Sequence, residues 1–228
     1  MSVNYVEKID DRVEARHVLI SVSDKAGLEE LVPGLLETVP DVKIFSTGGT
    51  FSAIKNFLGD KAEKHLMQVS DYTGQPETQG GLVKTLDFKI YLGLLTETYN
   101  ASHQDDLKRV TGFPIDMVVV NLYPFRATID KPGVTGEMAR ANIDIGGPCM
   151  IRAAAKNYLR VASVTDPADY ETIVAELRSC KGALSLATRF KLAQKAFSHT
   201  AEYDKAIAEF LARRDPASVA GAYTIVRQ

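Results

Sequence analysis

Cysteine and histidine are scarce in this sequence of 228 residues. Its two cysteines, Cys149 and Cys180, are too few for a disulfide framework and lack the spacing of a metal site. The four histidines include no pair four residues apart, which argues against a histidine-built zinc site. This composition is typical of a protein that works in a reducing compartment without a bound metal.

Excess positive charge and long apolar runs are also missing. The chain has 27 Lys and Arg against 29 Asp and Glu, a formal charge of −2. A protein that coats nucleic acid or an anionic membrane needs a basic excess, but a pocket for one phosphate does not. No run reaches the length of a membrane span, and residues 1–16 are polar and carry acids, unlike a secretory signal. We therefore expect a soluble, cytoplasmic domain with no nucleic-acid or membrane partner.

Apolar runs alternate with amphipathic stretches along most of the chain. Such runs predict strands at 17–22, 42–46, 65–69, 115–123 and 161–165. Helical patterns lie between them, and an amphipathic stretch at 185–213 predicts one long helix or two consecutive ones. This alternation predicts an α/β fold with a mainly parallel sheet flanked by helices. We expect a single domain with its core at about residues 16–180 and a C-terminal helical extension at about 185–214.

Three local signals predict how these elements begin and end. Ser23 and Asp24 are suitable N-caps for the first helix, and Pro33 should kink or split that helix. The stretch 70–81 is polar and glycine-rich, which favours a functional loop.

Two loops rich in serine, threonine and glycine follow the first two predicted strands. Because each ends a strand and opens a helix, both should lie at the sheet edge where open α/β folds bind ligands. One loop alone is commonly just a cap and a turn, but two on consecutive junctions favour a phosphate site. The dinucleotide and P-loop fingerprints are absent, so we expect a monophosphate ligand. The predicted contacts are Ser21, Ser23, Lys25, Ser46, Thr47, Gly48, Gly49 and Thr50.

Further candidates for chemistry lie after the polar loop. Lys84 could stabilise an oxyanion, although most lysines are simply solvated. Tyr123 ends the most apolar strand, and Asp144 precedes a glycine pair and a predicted helix that carries Lys156. Helix geometry separates Asp144 from Lys156, so they can pair only if the chain turns back or if a second subunit supplies one of them.

Nine motifs, in order, closely resemble the inosine monophosphate cyclohydrolase family, which forms the N-terminal domain of a bifunctional purine-synthesis enzyme. The likeness covers roughly residues 16–212. The motifs are LISVSDKAGL, FSTGGT, VSDYTG, VKTL, VVVNLYPF, KPGVT, NIDIGGPCMIRAAAKN, DPADY and KAFSHTAEYDKAI.

The resemblance implies a fold like that of methylglyoxal synthase, a homodimer, and no metal or organic cofactor. The implied reaction is ring closure of 5-formamidoimidazole-4-carboxamide ribotide to inosine monophosphate and water. A chain that ends at Gln228 is expected to be a free-standing cyclohydrolase supplied by a separate formyltransferase. The implied catalytic residues are Lys84, Tyr123, Asp144 and Lys156, with substrate contacts from Thr85, Asn121, Ile145 and Gly146.

This sequence departs from the family pattern around Lys84. Leu82 stands for an arginine associated with substrate binding, and this change predicts weaker binding. The alternative is a paralogue with altered specificity, or a phosphometabolite-binding domain without turnover. The other substitutions are Asp87-Phe88 for His-Pro, Tyr91 for a second histidine, and Gln75 and Thr78 for a phenylalanine and a methionine.

Overall fold

A computed structural model describes residues 5–76 and 84–226, and a five-stranded parallel sheet organises them. The strands of this sheet are β2 (His17–Val22), β3 (Lys43–Ser46), β4 (Leu66–Gln68), β5 (Met117–Asn121) and β6 (Ala162–Val164). Their spatial order is β4-β3-β2-β5-β6. Two short strands, β1 (Arg12–Glu14) and β7 (Ala183–Ser185), pair antiparallel in a separate ribbon.

Helices connect the strands and cover both faces of the sheet. The longer ones are α1 (Leu28–Thr38), α2 (Gly48–Leu58), α5 (Phe88–Leu95), α6 (Ala101–Arg109), α9 (Gly146–Lys156), α10 (Tyr170–Ser179) and α11 (Leu186–Ala212). Short helices are α3 (Ala62–His65), α4 (Val69–Thr73), α7 (Phe125–Ile129), α8 (Gly136–Ala141) and α12 (Pro216–Ala220), and 3₁₀ turns lie at Gly59–Lys61 and Pro167–Asp169. No helix in the described ranges has the length and apolar character to cross a membrane.

The alternating side chains of the central strands build two cores. Val18 and Ile20 of β2 point to the face covered by α1, α2 and α10. Leu19 of β2 and Val118 of β5 point to the opposite face, which α5, α9 and α11 cover. Strands buried on both faces need continuous apolar runs, which is why β2 and β5 are so apolar. The predicted α/β fold with a mainly parallel sheet is therefore confirmed.

Several predicted element ends need correction. Helix α1 begins after Gly27, whose φ is 75°, while the Asp24 carboxylate accepts the N–H of Ala26 in a turn before the helix. The helix runs unbroken through Pro33, which lies on its exposed face, where water can hydrogen-bond the carbonyl left without a partner. Residues 70–73 belong to α4 instead of a loop, and 77–81 lie outside the described residues.

Helix α11 is part of the core, although the sequence suggested a peripheral extension. It forms one continuous helix of 27 residues. Leu192 packs into one core, while Ala193, Ala196 and Tyr203 pack into the other. The C-terminal helical pattern is therefore confirmed as a helix, and this helix closes the sheet beside β6.

Buried cations are held at the amino end of the sheet. Arg160 donates to Asp116 Oδ1 at 2.9 Å and to the carbonyls of Thr96 and Gly93 at 3.0 and 2.5 Å. Arg189 on α11 is 1% exposed and donates to five backbone carbonyls. These belong to Asp10, Asp11, Tyr158, Leu159 and Leu184, at 2.5 to 3.1 Å. Burial lowers the pKa of both guanidinium groups, but each remains charged because the pKa of arginine is so high. Five N–H bonds of Arg189 and three of Arg160 have an acceptor.

Candidate active site

A cleft of about 470 Å³ lies beyond the carboxyl ends of the strands. Successive connections run in opposite directions from the central pair β2 and β5, and ligands of open α/β folds bind beyond such a switch point. The lining residues are Ser21, Val22, Ser23, Lys25, Thr47, Gly48, Gly49, Thr50, Lys84, Thr85, Val120, Asn121, Tyr123, Ala141, Ile143, Asp144, Ile145, Gly146, Gly147 and Met150.

Two lysines approach the N-terminus of α2. A Cβ placed on Gly48 would lie 3.9 Å from Lys84 Nζ, and one on Gly49 would lie 3.9 Å from Lys25 Nζ. Gly48 also has a φ of 47°, which disfavours any side chain there. The first N–H groups of a helix lack intrahelical partners and carry partial positive charge. Two ammonium groups beside such a terminus form a site suited to an anion such as phosphate.

The predicted hydroxyl contacts divide into two groups. Ser21 Oγ and Thr47 Oγ1 lie 3.2 Å apart at the cleft surface. Ser46 is fully buried, and its hydroxyl donates to the Ile20 carbonyl at 2.7 Å. Thr50 Oγ1 accepts the Val22 N–H and donates to the Val22 carbonyl, at 3.1 and 3.0 Å. Ser46 and Thr50 therefore fix the loops. Ser46 lies outside the main cleft but lines the smaller pocket beside Lys84, and its role as a substrate contact stays a prediction.

Asn121 shapes the first loop from the end of β5. Its Oδ1 accepts the N–H groups of Ser23 and Asp24 at 2.7 and 2.8 Å, and its Nδ2 donates to the Asp24 carbonyl at 2.8 Å. The amide side chain thus holds the loop that carries Lys25, and its role as a direct substrate contact stays a prediction.

Asp144 lies half-buried before α9. Its Oδ1 accepts the N–H of Gly147 at 2.9 Å. Burial raises the pKa of Asp144, and the backbone N–H groups of Gly147 and Tyr123 oppose the rise. A carboxyl group with a raised pKa beside an open cleft is suited to proton transfer. The phenol ring of Tyr123 is 56% exposed at the mouth of the cleft.

The start of α9 packs closely against the Lys84 loop. A Cβ on Gly146 would lie 2.5 Å from Thr85 Oγ1, so only glycine permits this approach. Thr85 is buried, and the neighbouring Ile145 is 56% exposed beside the cleft. The contact places the N-terminus of α9 next to the segment that carries Lys84.

Lys156 does not reach the cleft within one chain. It ends α9, whereas Asp144 precedes that helix, and 11 helical residues span about 15 Å. Lys156 is exposed near the amino end of the sheet. The chain does not turn back to join the two residues, and a role for Lys156 beside Asp144 stays a prediction that needs a second copy of the chain.

The departures from the family pattern have separate structural roles. Asp87 caps α5 by accepting the Lys89 N–H at 2.7 Å and does not line the cleft. Phe88 is 63% exposed, so it fills no interior space left by an imidazole. Burial raises the pKa of Tyr91, whose hydroxyl faces Cys149. Gln75 lines a small polar pocket beside Lys84, while Leu82 and Thr78 lie outside the described residues.

Some cleft residues carried no sequence signal. Ile143, Met150 and Val120 look like ordinary core residues, because their spacing fits helix or strand packing. Gln68 and Ser70 line the small pocket with Gln75 and Lys84. In the described part of the chain, no group of three or more His, Cys, Asp or Glu side chains is arranged to hold a metal.

Two family models match the chain. The MGS-like domain matches residues 27–149, and the model described as AICARFT/IMPCHase bienzyme matches residues 154–227. The first covers over half of the chain and contains most of the cleft residues.

Curated relatives are bifunctional purine biosynthesis proteins named PurH. The protein from Sorangium cellulosum (strain So ce56) is 50% identical over 196 residues, which cover 86% of this chain and 36% of the relative. The protein from Magnetococcus marinus is 47% identical over 208 residues, 91% of this chain and 38% of the relative. The chain thus spans little more than a third of the length of the relatives it matches.

A solved structure shares the fold over nearly its whole length. The crystal structure of ForH superposes with a TM-score of 0.71 at 31% sequence identity, covering 86% of this chain and 98% of ForH. The chain therefore belongs to the MGS-like domain family, and its relationship to PurH confirms the resemblance to inosine monophosphate cyclohydrolase that its motifs indicated.

Proposed function

We propose that the cleft closes the purine ring, converting 5-formamidoimidazole-4-carboxamide ribotide to inosine monophosphate and water. The observation that carries the proposal is the convergence of Lys25, Lys84 and the N-terminus of α2 opposite Asp144 in one cleft. The relationship to purine biosynthesis proteins supports a purine precursor as the ligand. The reaction is internal to one substrate and needs no cofactor.

The phosphate binds between Lys25 and the first turn of α2. The ammonium group of Lys25 lies near this helix terminus, and a bound phosphate interacts favourably with both. The hydroxyls of Ser21 and Thr47 face the same space. Charge-assisted hydrogen bonds of this kind orient the substrate as well as hold it.

Ring closure joins the carboxamide nitrogen to the formyl carbon. The nitrogen attacks, the C–N bond forms, and the formyl oxygen becomes an oxyanion that takes the equivalent of the proton lost by the carboxamide nitrogen. The resulting hydroxyl takes a second proton, balanced by the one lost from the formamido nitrogen, and leaves as water while the C=N bond of the new ring forms. Lys84 stabilises that oxyanion, and the cleft holds the two groups in an attacking geometry. Asp144 accepts the proton from nitrogen, which is favoured by its raised pKa. Tyr123, Thr85, Ile145 and Gly146 orient the base beside Asp144.

Lys156 takes part in this scheme only from a second copy of the chain. Because it lies at the far end of α9 from Asp144, we propose a homodimer in which each cleft receives the partner's lysine. Mixing Asp144→Asn and Lys156→Ala proteins tests this arrangement. Mixed dimers should regain one intact site and measurable turnover, and no recovery would remove the intersubunit role of Lys156.

The decisive experiment incubates purified protein with the formamido ribotide and follows inosine monophosphate by chromatography. Wild type should form product, Lys84→Ala should be strongly impaired, and Lys55→Ala serves as the matched lysine control because it lies at the exposed far end of α2. Absence of product with wild type would refute the ring-closing function.

The position of Lys156 also favours a second candidate, a phosphometabolite-binding domain without turnover. Such a domain needs the loops that hold the phosphate but not a partner for Asp144. It would bind inosine monophosphate, and Lys25→Ala would weaken that binding. It would form no product from the formamido ribotide. The same incubation, combined with calorimetry of product binding, separates the two candidates.

A further inference from the structure

We infer that Tyr203 of α11 is a positioning residue of the cleft, holding the backbone of Asp144 from behind. The Asp144 N–H donates to Tyr203 Oη at 2.7 Å, across 59 positions of sequence. The same hydroxyl faces the Asn142 carbonyl at 3.5 Å. Tyr203 is 8% exposed and does not line the cleft, so it acts through Asp144 and not on a ligand.

The ring of Tyr203 is fixed by a second segment of the cleft. It packs edge-on against Phe125, with ring centroids 6.2 Å apart and an interplanar angle of 68°. Phe125 is 2% exposed and follows Tyr123 by two residues. One side chain of α11 therefore supports both the segment that carries Tyr123 and the segment that carries Asp144.

Two hydrogen bonds then determine the position of the Asp144 carboxylate. Its own N–H is anchored by Tyr203, and its carboxylate accepts the N–H of Gly147. Removing the hydroxyl leaves the Asp144 N–H without this acceptor in a partly buried position, which is costly. The peptide before Asp144 would rotate to find a new partner, and the carboxylate would move with it. A displacement of about 1 Å can lower turnover about 100-fold.

The test compares Tyr203→Phe with Tyr72→Phe. Both variants keep the ring, so both should fold. Tyr72 is a matched control because it is 6% exposed and its hydroxyl also accepts one backbone N–H, from Phe113 at 2.9 Å. Amide hydrogen exchange is followed by NMR at Gly147, whose N–H donates to the Asp144 carboxylate, and at Tyr123, whose backbone N–H lowers the pKa of that carboxyl group.

Positioning predicts exchange at Gly147 and Tyr123 about tenfold faster in Tyr203→Phe and unchanged in Tyr72→Phe. Unchanged exchange in Tyr203→Phe would overturn the inference, as would equal acceleration in both variants, which indicates general loosening. This readout does not depend on catalysis, so it stands or fails separately from the ring-closing function.

The effect on turnover rests on the proposed function. Given ring closure by wild type, Tyr203→Phe should lower kcat about 10- to 100-fold with KM nearly unchanged, as expected for a misplaced proton acceptor. Tyr72→Phe should stay within about twofold of wild type. A raised KM with normal kcat in Tyr203→Phe would contradict a positioning role for Asp144 chemistry.

Discussion

The two ends of the central sheet use the same kinds of charged group in opposite ways. At the amino end, Arg160 and Arg189 are buried, and their N–H groups are engaged by Asp116 and by backbone carbonyls. At the carboxyl end, Lys25 and Lys84 line an open cleft beside the N-terminus of α2. Cations enclosed by carbonyls stabilise the fold, whereas cations that line an open cleft are placed where an anion can bind.

Asp116 and Asp144 show the same contrast among carboxylates. Asp116 is 9% exposed and bonds to Arg160 and to the His17 N–H, so it has a cation and a fixed partner. Asp144 accepts the backbone N–H of Gly147, and burial raises its pKa. A carboxylate paired with a buried cation serves structure, while one held by neutral donors beside a cleft can exchange a proton.

The largest expected effect is the loss of stability when the buried Arg189 is replaced. Arg189→Met removes the donors to five carbonyls and should lower the free energy of unfolding by about 3–5 kcal/mol, since buried polar groups lose their partners. Urea denaturation measures the change. Arg178→Met is the matched control because its ion pair with Glu37 is exposed, and a similar loss in both variants would contradict the special role of Arg189.

At the cleft end, Lys84→Ala should spare the fold and impair the chemistry. We expect kcat to fall by about 10²–10³-fold, the cost of removing one oxyanion donor, with little change in the urea midpoint. Steady-state kinetics and denaturation on the same sample measure both. A large loss of stability with normal kcat would show that Lys84 stabilises the fold and does not take part in the chemistry.

Lys25→Ala should affect binding more than turnover. Losing one charged hydrogen bond to phosphate should weaken inosine monophosphate binding by about 1–3 kcal/mol in calorimetry. Lys55→Ala, at the other end of α2, should bind normally. Equal affinities in wild type and Lys25→Ala would remove this lysine from the phosphate site.

The smallest expected effect is a pH dependence of stability at Asp144. Its pKa in the folded protein is raised above the ordinary value of 3.8, so the folded state retains the proton more strongly than the unfolded state. Stability contributed by the protonated carboxyl is therefore lost as pH rises from that value through the folded pKa. Asp144→Asn cannot ionise and should gain a small Tm advantage over wild type as pH increases to neutrality. A constant Tm difference across pH would contradict the raised pKa.

Parts of this contrast could be predicted from the sequence. The apolar runs of β2 and β5 predicted strands buried on both faces, and the loops after β2 and β3 predicted adjoining polar sites. The number of helical residues between Asp144 and Lys156 already predicted that these two residues lie far apart within one chain. These features depend on local pattern, which periodicity and turn chemistry determine directly.

The remaining features depend on contacts distant in sequence. Arg189 lies in an amphipathic helix, where the pattern predicts a surface arginine. In the structure it donates to the carbonyls of Asp10 and Asp11. The position of Tyr203 in its helix predicts only a packing residue. Nothing in the nearby sequence predicts its hydrogen bond with the Asp144 N–H. The short strands β1 and β7 are stabilised by pairing with each other, so their three-residue segments carry little pattern of their own.

A crystal structure of the protein with inosine monophosphate tests most directly whether the carboxyl end of the sheet is the functional end. We predict the phosphate at the N-terminus of α2 beside Lys25, with the purine ring beside Lys84, Asp144 and Tyr123. A nucleotide bound at the amino end of the sheet, or in the cleft with its phosphate away from α2, would contradict the account.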